Sequence, residues 1–193
     1  MRHSEAWWLS NSWGQYAECS RDYDTIEVPA TKAFKHALMS TPAPTLYDWL
    51  GGIDALNRLT ARFYERVRDN AVLAPIFLHM GADHPQHVAA FLAEVLGGPA
   101  RYSAEHGGHP AMVQHHLNRH LSQAQRREWV ALLLDTADEL KMPDDPEFRS
   151  ALVGYLEWGS RLAVINSQPG ATVDPNAPMP KWGWGEVRGP YTP

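Results

Sequence analysis

Eight of the chain's ten histidines fall between His79 and His120. Imidazole is the commonest metal ligand among side chains, and its unperturbed charge changes near neutral pH. Such crowding asks for a metal, a cofactor or a proton-handling role. His116 and His120 stand at i, i+4 and His84 and His87 at i, i+3, spacings that zinc can use on a helix. Three features count against zinc. His120 comes two residues before Ser122, a helix-capping residue, and so belongs to a turn rather than to the helix of His116. No glutamate completes a His-Glu-x-x-His pattern, and the stretch itself offers no cysteine to help. His79, His106 and His120 read as solvated surface residues, and His109, just before Pro110 at a helix start, as a cap. His84, His87, His115 and His116 keep a claim to chemistry because of what surrounds them.

The elements that must position these residues are helical. Ile53, Leu56, Leu59 or Thr60, Phe63 and Val67 step at three and four after Gly51-Gly52, which predicts a helix of about 16 residues. Val88, Phe91, Leu92 and Val95 mark a second, halted by Gly97-Gly98-Pro99. Ser122 with Gln125 spells a capping box ahead of a face made by Trp129, Leu132, Leu133, Ala137 and Leu140. Asp145-Pro146 is an N-cap with proline in the first turn, followed by Phe148, Leu152, Tyr155, Leu156, Leu162 and Ala163 to about Asn166. No β-branched run alternates with period two, so the fold class is all-α. Between Gly98 and Leu121 apolar anchors are few, and side-chain packing alone would hold that stretch weakly. A bound cofactor would supply the missing contacts.

A length of 193 residues and 44% hydrophobic content suit one globular domain with tails. Residues 1–45 read as an N-terminal tail, 46–166 as the domain and 167–193 as a proline- and tryptophan-containing C-terminal tail. Met39, ahead of Pro42 and Pro44, is a candidate native start. A net charge of −5 gives no reason to expect nucleic acid as a partner. One cysteine, no signal-peptide pattern and no membrane-length apolar run predict a cytoplasmic protein with no membrane partner.

Several motifs occur in one order: Tyr47-Asp48-Trp49-Leu50-Gly51-Gly52, Arg62-Phe63-Tyr64, Phe91-Leu92, Gly97-Gly98-Pro99, Tyr102-Ser103 and Gly108-His109-Pro110. After them come His116, Arg126-Arg127-Glu128-Trp129 and the run from Pro178 to Gly185. From Leu46 to about Pro169 the chain resembles the truncated haemoglobins of the second group, with tails of an actinobacterial kind. The resemblance implies a two-over-two globin around haem b. One crossed pair would be the helices from about Gly52 to Asp69 and His84 to Leu96, the other those opening at Ser122 and Pro146.

It implies His116 as the axial ligand to haem iron. Tyr64 and Trp129 would be distal donors to the bound gas, with one O–H and one N–H respectively. Dioxygen accepts such bonds well. At about 1.5–3 kcal/mol for each bond to a partly charged acceptor, two donors would slow ligand loss a hundredfold or more. His84 falls at the distal gate, where relatives often have a small residue. There it could donate to the ligand, swing outward or bind iron. Phe77 would lie on the haem face, where many relatives have tyrosine, and Val88, where a larger residue is frequent, would leave more room. Phe91 and Met112 would complete the cofactor wall. His87 and His115 stand where relatives place arginine beside the propionates, so haem retention should weaken above about pH 7.

The implied function is reversible dioxygen binding, with nitric oxide and carbon monoxide as further ligands. The alternative is nitric oxide dioxygenase or peroxidase work with a separate reductase, since no Gly-x-Gly-x-x-Gly nucleotide motif is present. A haem-free helical interaction module is the third class.

Overall fold

A computed structural model describes residues 42–190. The expectations for the N-terminal tail and for a start at Met39 fall almost wholly on residues 1–41, outside the described residues. Within the described residues every regular element is helical: α1 (Leu46–Trp49), α2 (Gly52–Asp69), α3 (His84–Val95), α4 (Arg101–His106), α5 (Gly108–His116), α6 (Gln123–Glu139) and α7 (Pro146–Asn166). Short 3-10 turns stand at Ala74–Ile76 and Gly185–Val187.

Local chemistry accounts for most helix ends. Thr45 opens α1 by accepting the Asp48 N–H at 3.0 Å. Gly51 and Gly52 take left-handed φ values of 101° and 71°, and the Tyr47 hydroxyl accepts the Ile53 N–H across the break at 3.1 Å. α2 runs slightly longer than its apolar period and buries a double stripe that includes both Phe63 and Tyr64. α3 begins one turn earlier than Val88, at His84, with Pro85 in its first turn. It ends at Gly97-Gly98, where a Cβ on Gly98 would come within 2.8 Å of the Ala93 carbonyl and of the Tyr47 ring. Only glycine lets the chain turn so close to α1.

The capping box at Ser122 is formed in full: Ser122 Oγ accepts the Gln125 N–H at 3.1 Å and Gln125 Oε1 accepts the Ser122 N–H at 2.9 Å. Asp145 caps α7 by accepting the Phe148 N–H at 2.9 Å. Replacing Ser122 by alanine is expected to cost about 1 kcal/mol of stability, read as a lower denaturation midpoint with an unchanged slope. The cap assigned to His109 is corrected. Gly107, in the left-handed region with φ 80°, occupies that position, because turning from α4 directly into α5 requires positive φ.

α2 packs chiefly on α3 and also on α6, which pairs with α7. This is the two-over-two arrangement of helix pairs. Arg62 ties α2 to α6 through Glu139 at 2.7 Å, and Arg126 of α6 pairs with Glu157 of α7. α4 and α5 occupy the stretch poor in anchors, where Tyr102 and Val113 are the buried large side chains.

The proline-rich C-terminal segment lies on the domain. The Trp182 backbone N–H donates to the Val95 carbonyl at 2.8 Å and its indole N–H to the Ala151 carbonyl at 2.9 Å. The Trp184 indole donates to the Pro44 carbonyl at 2.7 Å, with its ring 6.0 Å from that of Trp49. No helix among the described residues is long and apolar enough to cross a membrane.

Candidate cofactor pocket

α2, α3, α5, α6 and α7 enclose a cavity of about 690 Å³, within the range of sites that hold a small molecule or cofactor. Tyr64, Phe77, His84, His87 and Val88 all line it, as do Phe91, Met112, His115, His116 and Trp129. Residues up to 65 positions apart in sequence thus meet on one wall, Tyr64 from α2 with Trp129 from α6.

His116 sits in the last turn of α5, just before Leu117 leaves the helix with ψ 135°. Its Nδ1–H donates to the Met112 carbonyl one turn back at 2.8 Å. Burial, partly offset by that bond, lowers its pKa and favours the neutral ring. With Nδ1 protonated and tied to the backbone, Nε2 keeps its lone pair. This is how proteins orient an imidazole that ligates a metal.

Tyr64 is 2% exposed. Burial holds its hydroxyl well above the usual phenol range, opposed only slightly by the neighbouring Trp129 indole N–H. That N–H approaches the Tyr64 oxygen, and the same oxygen lies 3.0 Å from His84 Nε2. Burial first, then the nearby histidines His87 and His115, push the His84 pKa down to about 4. His84 is therefore neutral at ordinary pH, and its Nε2 accepts the Tyr64 proton in the Nδ1–H tautomer and donates to the Tyr64 oxygen in the other. Aromatic edges brace the group: Tyr64 stands 5.3 Å from Phe77 and 4.9 Å from Phe63, which meets Trp129 at 5.4 Å, all near T-shaped.

The rim carries the remaining expectations. His87 lies with Nε2 3.4 Å from Asp83 Oδ2 and its ring 4.3 Å from that of His106. His115 is exposed. Arg119, one turn past His115 and donating to its carbonyl at 3.2 Å, also lines the pocket. Sequence reading missed this arginine because α5 ends before it, so helical spacing did not place it beside His116.

Three residues set aside as surface or capping histidines, His79, His106 and His109, line the wall as well. His120 does not; it is exposed in a turn with φ 51°. The α7 wall was also missed as such. Tyr155, Leu162 and Ala163 read as a core face in the sequence, yet they line the cavity together with Trp158 and Gly159.

Among the described residues no group of three or more His, Cys, Asp or Glu side chains is placed to hold a metal ion. One oriented, neutral imidazole in a largely apolar cavity suits a metal that brings its other ligands with it, in a flat macrocycle. Arginine and histidine at the rim suit anionic edge groups. The residues present fit haem.

The comparisons agree with this geometry. The bacterial-like globin family matches residues 45–157. A group 2 truncated haemoglobin of Bacillus subtilis is 33% identical over 117 residues, covering 61% of this chain and 86% of that protein. The solved structure of a truncated oxygen-avid haemoglobin from Bacillus subtilis superposes with a TM-score of 0.56 at 31% identity, covering 63% of this chain and 99% of that one. A thermostable haemoglobin from the actinobacterium Thermobifida fusca gives 0.56 at 28% identity, over 63% of this chain and 97% of that one. With α2 against α3, α6 against α7 and a histidine-lined cavity between them, the chain belongs to the bacterial-like globins, as a truncated haemoglobin of the second group, and its cofactor is haem.

Proposed function

We propose that the protein reversibly binds dioxygen at a haem b whose iron His116 would hold. When bound, ferrous haem supplies an open iron position that takes a diatomic gas. The observation that supports the reading best is the Nδ1 bond of His116 to the Met112 carbonyl, which leaves Nε2 in the same cavity as the Tyr64–Trp129 pair. The similarity to a Bacillus subtilis structure described as oxygen-avid points the same way. Trp129 acts as donor to the ligand, joined by Tyr64 when its hydroxyl leaves His84. Phe77, Val88, Phe91 and Met112 pack the cofactor, and His87, His115 and Arg119 meet its anionic edge. Absorption spectra of the ferric, ferrous and gas-exposed protein test the whole reading. Protein that stays colourless after haem is added would falsify it.

His84 restrains the distal donors. While its neutral Nε2 accepts the Tyr64 proton, that hydroxyl is spent inside the protein rather than on a ligand. His84→Leu is expected to free it and to slow dioxygen dissociation several-fold, the effect of about one hydrogen bond. Stopped-flow displacement of dioxygen reads this directly, and faster release in the variant would show that His84 itself donates to the ligand.

His84 also sets a pH response of stability. Its ordinary value is 6.5 and its folded value about 4, so between those limits the unfolded chain binds more protons than the folded one. Stability therefore falls as pH drops from about 6.5 toward 4 and levels off below. Denaturant midpoints at pH 7 and pH 5 are expected to differ less in His84→Leu than in the parent protein.

A redox reading of the pocket, with nitric oxide or peroxide as reactant and a reductase as partner, is favoured by one observation: the pocket wall on α7 carries an oxidisable ring, Trp158, that also reaches the surface. Turnover well above the rate of spontaneous haem oxidation would support it.

A further inference from the structure

Three aromatic rings cluster on the α7 side of the pocket. Tyr155 and Trp158 both line the cavity, and Trp182 of the C-terminal segment packs on both with ring centroids 5.8 Å away in each case. Trp158 and Trp182 are inclined to each other by 36°, so the two indoles meet at a shallow angle. Trp158 is also 39% exposed. A single side chain thus touches both the interior of the pocket and the solvent. Trp182 is pinned beside it by its bonds to Val95 and Ala151 and by Gly154, where a Cβ would come 3.3 Å from its ring. Gas binding uses none of this.

We propose that Trp158, backed by Trp182, is a second oxidation site, at which phenolic donors too bulky for the pocket give up electrons one at a time to hydrogen peroxide reduced inside it. The proposal rests on the pocket holding haem. Indole has the most electron-rich ring among the neutral side chains, and a second π face beside it stabilises the positive charge left by a lost electron. Tyr155 is the poorer carrier. A phenol loses its proton with its electron, and burial around Tyr155 opposes that loss. Trp158 is exposed, so water can take and return a proton there.

The reaction balances as H2O2 + 2 ArOH → 2 H2O + 2 ArO•. The peroxide O–O bond breaks and its oxygens take up two electrons and two protons. Each phenol's O–H bond breaks, giving one electron and one proton. Trp158 passes each electron inward and regains it from the next donor, so it ends unchanged.

The test uses the full-length haem-loaded protein, with its Soret band recorded first. Peroxide is added with a nitroso spin trap, and trapped adducts are located by peptide mass spectrometry. In parallel, oxidation of free guaiacol is compared with that of a phenol grafted to soluble dextran, which cannot enter the cavity. The expected result is adduct on Trp158, together with loss of dextran-phenol oxidation by at least tenfold in Trp158→Phe while guaiacol oxidation changes less than twofold. Trp182→Phe keeps an aromatic ring and the backbone bond to Val95 while losing the indole bond to Ala151, and is expected to slow dextran-phenol oxidation several-fold at unchanged haem content, which guards against a Trp158 variant that folds poorly. Adducts elsewhere only, or equal dextran-phenol rates in the parent and Trp158→Phe, overturn the proposal while leaving haem binding intact. Absence of a Soret band overturns both.

Discussion

Replacing His116 by glycine is expected to accelerate haem loss by at least about a hundredfold, since even an outer partner of a ligating histidine commonly contributes 10- to 100-fold in metal affinity. Free imidazole is expected to restore much of the retention and the parent ferrous spectrum. The reasoning is local. His116 ends α5, its Nδ1 is committed to the Met112 carbonyl at 2.8 Å, and its partly buried ring is held neutral. Glycine deletes the imidazole and leaves a gap of the shape that free imidazole fills. A histidine that merely packs would give a variant whose ferrous spectrum is indifferent to added imidazole. Unchanged haem retention in the variant would assign the iron to another residue, with His84 the first to examine.

The second large effect is expected at Trp129. Trp129→Phe removes the indole N–H, which would turn from the Tyr64 oxygen to a bound ligand, and keeps an aromatic ring against Phe63, now 5.4 Å from it. A hydrogen bond to a partly charged acceptor contributes about 1.5–3 kcal/mol, so dioxygen should leave roughly ten- to a hundredfold faster. Carbon monoxide accepts hydrogen bonds weakly and should change much less. That contrast separates a lost donor from a pocket simply made wider, which would speed both gases alike. Tyr64→Phe is expected to have the smaller effect of the two, because the Tyr64 hydroxyl is already bonded to His84 at 3.0 Å.

Much of the scaffold could be read along the chain because its signals are short-range. The Ser122 capping box and the Asp145 cap satisfy backbone donors within three residues. Gly97 and Gly98 end α3 through positive φ at Gly97 and a close approach at Gly98. The His116–Met112 bond is likewise one helical turn long. The wall of the pocket was less legible. His79, His106 and His109 looked like bystanders because polarity in a loop says nothing about what the loop faces. Arg119 was overlooked because the helix that would have given it a register stops at His116. Trp158 drew no notice because it falls off the apolar stripe of α7, and only the neighbouring helices and the C-terminal segment make it part of a cavity wall.

The histidine-rich stretch shows where the division lies. The sequence by itself determined the all-helical class and most helix ends, since propensity and capping act within a few residues, while the choice of His116 among the histidines came from the family resemblance. Only the tertiary structure decided that Tyr64 meets His84 rather than waiting free for a ligand, that Arg119 joins the rim and that Trp182 comes to rest against Trp158. Those contacts join parts of the chain about 20 residues apart or more, or turn on how separate helices face one cavity. They are set by which packed arrangement excludes the most apolar surface from water, a sum over the whole domain that no single segment carries.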